Sequence, residues 1–423
     1  MVKTKIQPVK GTRDFYPEDI AFQNWLFGRI RTISESFGYQ EYDGPILEPI
    51  ELYLAKTSEE LIKQQAFTLK DGKGRELVLR PEMTPSVARM VAAKSYELPI
   101  PARLFNIGPR FRYEAPQRGR LREFYQWDVD MFGANTPEAD AEIIAVAAEF
   151  FKTLGLTPDD VVIKINDRSL IETKFAFLDI PEDKWLELTT IIDRREKLTP
   201  KAWQESLAKL DFSDKQISEL ETVLRDTDFS FESENLTRIF STLEDLGYRD
   251  YVEFDPSIVR GLLYYSSTVF ETKDRHGEFR SLLGGGRYAS LVGEYGGRDL
   301  SGVGFATSDI IIQEFLAHHN KLPELKAKVA DVLVVVVEEG AVRDALKIST
   351  SLRSAQINTE FYPDATVKLD KQLSFADKKG IPFVVIFGKD EMEKQVVTVK
   401  KMATGAQKQI LLKNLTHETV VGW

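Results

Sequence analysis

Between Phe111 and Asp130 the chain reads FRYEAPQRGRLREFYQWDVD, which sets Arg112, Arg118, Arg120 and Arg122 in and around one polar turn. Guanidinium groups stay charged in proteins, and their forked donors match the oxygens of a phosphate. The run after the turn, REFYQWDVDM, has strand character, and residues two apart on a strand share a face. Phe124, Gln126, Asp128 and Asp130 therefore point one way, and Tyr125, Trp127, Val129 and Met131 the other. The second set is a core face. The first meets either solvent or a ligand. The arginines of the turn, with Arg112 and Glu114 on the preceding strand, favour a ligand: phosphates at the turn, a base stacked on Phe124, a polar side chain fixed by Gln126 and Asp130. An aspartate facing an imidazole favours its protonated form.

Holding these groups in place requires a scaffold, and the flanking sequence outlines one. FQNWLFGRIRTISESF has apolar residues at helical spacing, and GYQEYDGPILEPIELYL reads as strand, turn at Gly44–Pro45 and extended segment. AFTLKD and ELVLR, separated by Gly72 to Gly74, predict a hairpin; TPSVARMVAAK predicts a helix with Thr84 as its cap and Pro85 at the first helical position. ARLFNIGPRFRYE and REFYQWDVDMFG are the two strands around the arginine-rich turn, and AEIIAVAAEFFKTL is an amphipathic helix. A charged, helix-patterned stretch from about 167 to 247 reads as an inserted helical module, after which DPSIVRGLLYYSSTVFE and EFRSLLGGGRYASLV return to strands and tight turns. Beyond the linker HHNKLPELKAKVA, strands such as VADVLVVVV and IPFVVIFG alternate with helices, which predicts βαβ units and a mostly parallel sheet in a separate α/β domain. The expected division is 1–325, including the inserted module, and 326–423.

Composition narrows the chemistry. The chain has 423 residues, 43% hydrophobic and 29% charged, and no apolar run near the roughly 20 residues of a membrane span. The first residues lack the apolar core of a secretory signal, so the expected compartment is the cytoplasm. There is no cysteine, which excludes disulfides, thiolate metal sites and a cysteine nucleophile. His276, His318, His319 and His417 match no metal-ligand spacing, so no metal site is expected. A net charge of -10 does not advertise nucleic-acid binding, yet an acidic chain can carry a local basic groove.

The arginine-rich hairpin resembles the second signature motif of class II aminoacyl-tRNA synthetases, and FYQWDVDMFG is similar to its version in the histidyl-tRNA synthetase family. The likeness extends over nearly the whole chain, in the family's order: KGTRDFYPED, LRPEMTPSVARM, the hairpin, IVRGLLYYSSTVFE, GGGRY, and KLDKQLSFADKKGIPFVVIFG. It implies an α+β class II core of antiparallel sheet flanked by helices, followed by a C-terminal α/β anticodon-binding-like domain. GYQEYDGPILEP then resembles the dimer-forming motif around Pro45, which implies a homodimer. By the same resemblance, Glu82 and Thr84 receive the amino acid's α-ammonium group. Arg112, Glu114 and Arg120 hold ATP, Phe124 stacks on adenine, and Gln126, Asp130, Tyr265 and Tyr288 form the histidine pocket. Arg260, with Arg112, is implied as catalytic, near the α-phosphate. The implied reaction joins histidine to ATP, accompanied by Mg²⁺, as histidyl-adenylate and passes the acyl group to tRNA(His). It needs no enzyme nucleophile, only positioning and cationic stabilisation.

Three positions depart from the family pattern. Where an ATP-clamping arginine is usual the chain has Ile311, and Leu263 and Ala289 stand where aspartates are usual. Arg287 and Arg298 are the candidate substitutes for the arginine. These departures keep open a non-catalytic paralogue, such as the regulatory subunit of ATP phosphoribosyltransferase or a histidine sensor. In the C-terminal domain, Lys368, Lys371, Gln372, Lys378 and Lys379 either meet RNA or form a solvated helix face.

Overall fold

The computed structural model describes residues 6–54, 65–260, 264–325, 327 and 329–423, apart from the side chain of Lys197. The chain falls into two compact units, Met1–Glu324 and Leu325–Trp423. In the first, a helix at Pro17–Ser36 leads to β1 (Gln40–Glu41). A small antiparallel sheet follows, in which β2 (Leu47–Pro49) and β3 (Phe67–Lys70) flank β4 (Glu76–Leu79). The expected hairpin over Gly72–Gly74 is thus β3 and β4.

The main sheet is built on a long antiparallel hairpin of β5 (Ala102–Phe111) and β6 (Glu123–Phe132), with the arginine-rich turn between them. Further along lie β7 (Val161–Asp167), β8 (Val252–Phe254), β9 (Tyr265–Asp274), β10 (Leu283–Tyr288) and β11 (Gly302–Ser308). Their spatial order is β1-β5-β6-β11-β10-β9-β7-β8. Within this sheet, among the described residues, the β1–β5 and β7–β8 pairings are parallel and the rest antiparallel. The alternation expected along β6 holds. Tyr125 packs on Phe27, ring centroids 5.5 Å apart, and Trp127 on Phe150 at 4.8 Å. Phe150 belongs to the helix Pro137–Thr153, which starts at Thr136, whose hydroxyl accepts from the Ala139 N–H, and at Pro137, whose fixed φ suits the first turn. That helix buries Ile143, Ile144, Ala147 and Phe151 on the sheet, worth about 1.5–3 kcal/mol for each large side chain.

Five helices, Arg168–Phe177, Trp185–Asp193, Pro200–Ala208, Asp214–Val223 and Glu234–Asp245, intervene between β7 and β8. Because β7 and β8 are parallel hydrogen-bonded neighbours, with Ile163 opposite Val252, the segment leaves at the C-terminal end of β7 and crosses back to start β8 beside the same strand.

In the second unit, β12 (Val332–Val336), β13 (Thr359–Phe361), β14 (Phe383–Phe387), β15 (Val396–Lys401) and β16 (Gln407–Leu411) take the order β13-β12-β14-β15-β16. β12 runs parallel to both neighbours, as the alternating pattern predicts, but β14–β15 and β15–β16 are antiparallel. The sheet is mixed, not mostly parallel. Only the short helix Lys389–Lys394 separates β14 from β15, and six residues cannot make the dozen-residue crossover that a parallel pairing needs. No helix among the described residues is long and apolar enough to cross a membrane.

Candidate active site

The hairpin turn is tied down at both ends. Arg112 N–H donates to Arg122 O at 2.9 Å, and Arg122 N–H to Gly11 O at 2.8 Å, so the N-terminal KGTRDF stretch straps the turn from below. Arg112 donates its Nε to Pro81 O at 2.9 Å and lies over the Phe124 ring, 5.3 Å from its centroid. It thereby joins the turn to the loop that carries Glu82. Glu114 pairs with Arg120 at 3.2 Å. These four side chains, Arg112 stacked on Phe124 and Glu114 paired with Arg120, gather at the arginine-rich end of the site.

The other end is a buried carboxylate. Asp130 accepts from the Tyr288 hydroxyl at 2.6 Å, and both are almost wholly buried. On the sheet, Asp130 is opposite Gly304 and Gly304 opposite Gly286, and a Cβ at 304 would collide with the Asp130 carboxylate. Burial pushes the Asp130 carboxyl up to about 7; the Tyr288 hydroxyl opposes this and the nearby Asp128 adds to it. Gln126, on the same face of β6, has its Oε1 buried with no hydrogen-bond partner, an orphaned acceptor that suits a donor on an occupant.

Glu82 forms the pocket's side wall. Its Oε2 accepts from the Tyr264 hydroxyl at 3.3 Å, and Tyr264 packs on Tyr265 and Tyr288 with centroids 4.9 and 5.9 Å away. Thr84 differs from expectation. The helix runs Thr84–Ala93 with Met83 as its cap residue and no side-chain cap bond, so the Thr84 hydroxyl is not committed to capping and stands beside Tyr264. Burial and the neighbouring Glu82 raise the Tyr264 hydroxyl well above its ordinary pKa. Tyr265 begins β9 against the same wall, pushed up to about 12 chiefly by burial.

Arg260 stands across from these groups. It occupies the left-handed region at φ 54°, and its guanidinium lies flat over Gly284, where a Cβ would come within 2.5 Å of Nη2. Its Nη1 reaches Glu271 at 3.0 Å, while its Nε is buried and unpartnered. It is not the surface arginine that its place before a strand allowed.

Ile311 lies on the helix Asp309–His318, with its Cδ1 2.7 Å from where a Cβ on Gly119 would sit. The hairpin tip is docked there. Gly119 N–H donates to Glu314 at 3.0 Å, and Arg118 pairs with Glu314 at 3.3 Å and stacks on Phe279 at 4.3 Å. Neither expected substitute reaches this end: Arg287 is locked to Asp140 and the Ala134 carbonyl, and Arg298 bonds to Ser95. A guanidinium adjacent to position 311 comes instead from the hairpin, as Arg118. Leu263 lies outside the described residues, and Ala289 is exposed.

Sequence reasoning missed the residues that hold the floor. Arg110 is fully buried, paired with Asp128 at 2.7 Å and with Asn106 at 2.7 Å. Arg80, also fully buried, donates to Asp43, Gly44 O and Pro109 O. Asp128 was legible as sharing a face with Gln126 and Asp130; its burial against Arg110 was not. In the C-terminal unit Gln372 is no RNA contact. It is buried, donating to the Val336 and Val367 carbonyls and accepting from Val336 N–H.

Known proteins match nearly the whole chain. The histidyl-tRNA synthetase family model matches residues 11–309, and an anticodon binding domain model matches 331–420. A histidine–tRNA ligase of Leptospira biflexa is 37% identical over 417 residues, covering 96% of this chain and 95% of that one. The chloroplastic/mitochondrial histidine–tRNA ligase of Arabidopsis thaliana is 35% identical, covering 98% of this chain and 86% of its own. The crystal structure of histidyl-tRNA synthetase from Nostoc superposes with a TM-score of 0.77 at 26% identity, covering 97% of each chain.

Proposed function

The chain belongs to the histidyl-tRNA synthetase family, and from that premise we propose how its residues divide the work of a histidine–tRNA ligase. The fold is the family's α+β class II core with a C-terminal α/β anticodon-binding domain. The observation that carries the residue assignment is Asp130: a carboxylate buried at the pocket floor, held by Tyr288, on one strand face with the unpartnered Gln126. Asp130 takes the imidazole's proton-bearing nitrogen, Gln126 and Tyr265 complete its cradle, and Glu82 with Thr84 receives the α-ammonium group. Phe124 stacks on adenine with Glu114 at its edge, and Arg120 and Arg118 meet the outer phosphates.

In the first step a histidine carboxylate oxygen attacks the α-phosphorus of ATP. The bond to the bridging oxygen breaks, pyrophosphate leaves, and histidyl-adenylate remains. Arg112 and Arg260 neutralise charge on the α-phosphoryl oxygens as it develops, the kind of preorganised stabilisation that supplies much of a barrier reduction. The terminal ribose hydroxyl of tRNA(His) then displaces AMP. Mg²⁺ accompanies the phosphates as their counterion. We infer a homodimer, supported by the exposed Ile46 and Leu47 beside Pro45, and a cytoplasmic location, supported by the bacterial relatives.

Coverage of both units by histidine–tRNA ligases argues against the non-catalytic paralogue. The test is histidine-dependent exchange of pyrophosphate into ATP by the purified protein, with and without tRNA. Exchange establishes activation with Ile311 in place of arginine; histidine binding without exchange under either condition would overturn the assignment.

A further inference from the structure

Arg260 is the first member of a chain of alternating charge that ends on the inserted helices. Its Nη1 bonds Glu271 Oε1 at 3.0 Å, Glu271 Oε2 meets Lys273 Nζ at 2.9 Å, and Lys273 Nζ meets Glu196 Oε2 at 2.8 Å. The first three side chains are largely buried, whereas Glu196 is 71% exposed. The geometry has a local cause. Glu271 and Lys273 are two apart on β9 and so share a face, and Gly284 opposite Glu271 leaves the room through which Arg260 crosses the sheet. Glu196 lies in the short turn Arg195–Lys197, just after the helix Trp185–Asp193, and Asp193 at the end of that helix also acts on Arg260 through its charge. Two acidic residues of the inserted segment therefore bear on the same arginine by separate routes.

Each link has two claimants. Although burial opposes charge on both, Arg260 and Lys273 hold the Glu271 carboxyl below its ordinary range, and Glu271 with Glu196 holds the Lys273 ammonium above its own. Both remain charged at neutral pH. Lys273 is divided between Glu196 and Glu271, and Glu271 between Lys273 and Arg260. Loss of the Glu196 contact would leave Lys273 to Glu271 alone, in competition with Arg260.

We propose that Glu271 and Lys273 are positioning residues that couple the Asp193–Glu196 segment of the inserted module to Arg260, so that docking of the module sets the aim of the guanidinium at the reacting phosphate. The coupling rests on the assignment of Arg260 to that phosphate, and its test separates the two. In pyrophosphate exchange, Glu271→Gln lowers kcat roughly a hundredfold with the histidine KM changed less than about twofold, and Glu271→Asp recovers part of the loss. Glu196→Gln, at an exposed site that does not threaten folding, lowers kcat by about three- to tenfold with KM unchanged. In the Glu271→Gln background Glu196→Gln has no further effect, because the link that carries it is gone. An effect of Glu196→Gln that is equal in both backgrounds, or no effect on kcat in either, overturns the coupling. If Arg260→Ala leaves exchange intact, it is the assignment of Arg260 that fails; if Arg260→Ala abolishes exchange while Glu196→Gln and Glu271→Gln are silent, only the coupling does.

Discussion

At the pocket floor, Asp130 and Gln126 on β6 and Tyr288 on β10, strands that flank β11, have less than a tenth of their surface exposed. At its mouth, Arg118 and Arg120 stand on a turn, with 59% and 46% of their side chains exposed, Arg118 paired with Glu314 and Arg120 with Glu114. The floor is held by backbone ladders and by the buried Arg110–Asp128 pair, so its geometry exists before a ligand arrives. The mouth is held by exposed ion pairs worth about 0–1 kcal/mol each, which a triphosphate readily displaces. On the proposed assignment the amino acid thus meets a preorganised site, whereas the nucleotide orders its own, and ordering such side chains costs about 0.5–1.5 kcal/mol apiece.

Arg260 faces both ends, so its loss breaks the comparison altogether. Arg260→Ala is expected to lower the exchange kcat by roughly a hundred- to a thousandfold in protein that circular dichroism shows to be folded. Comparable losses in histidine and ATP affinity with kcat retained would move Arg260 from the reaction to the binding of substrates. The floor alone is addressed by Asp130→Asn. Removing a charged hydrogen-bond partner costs about 1.5–3 kcal/mol, so the histidine KM rises about ten- to a hundredfold while the ATP KM holds. A rise in the ATP KM of the same size would mean that the floor and the mouth are a single site.

How much of this was legible in the sequence follows the same divide. The period-two alternation on β6 placed Gln126, Asp128 and Asp130 on one face, because strand geometry leaves a side chain only two directions. Family order supplied Tyr288 and Arg260. What stayed hidden depends on register between strands far apart in sequence: Arg110 against Asp128, Glu271 against Gly284, Glu314 against the hairpin tip. No periodicity specifies such contacts. Local rules also misfired where tertiary partners outbid them. Thr84 looks like a helix cap yet caps nothing, and Gln372 looks like a surface residue yet satisfies the backbone of β12.

The mouth can be sharpened with a compensating pair. If Arg118 supplies the cation that Ile311 does not, Arg118→Ala raises the ATP KM about tenfold, the size of one charged contact, and leaves the histidine KM alone. Ile311→Arg in that background then recovers most of the loss, since the new side chain starts beside Gly119 and Glu314. Failure of the second change to rescue the first would show that Arg118 acts elsewhere than beside position 311.

The smallest effect is in the pH dependence of the floor, and its sign can be worked out. On the proposed assignment a bound histidine and Asp130 share one proton, whether it is written as imidazolium with carboxylate or as imidazole with carboxyl. The free imidazole titrates near 6.5 and the free carboxyl at about 7. Below both values the separate partners carry two protons and binding must release one; above both they carry none and binding must take one up. Histidine affinity therefore peaks between the two and falls a few-fold about one pH unit beyond either, a profile that calorimetry in buffers of different ionisation enthalpy reads as proton release turning to uptake. In the unliganded protein the same raised carboxyl acts on stability. Between about 4, its value in the unfolded chain, and about 7, the folded chain keeps a proton that the unfolded chain gives up, so stability falls as pH climbs through that window. Asp130→Asn removes both the alkaline limb of the binding profile and this slope. If the limb survives in Asp130→Asn, the titrating group is not Asp130, and the buried carboxylate no longer explains the choice of an imidazole.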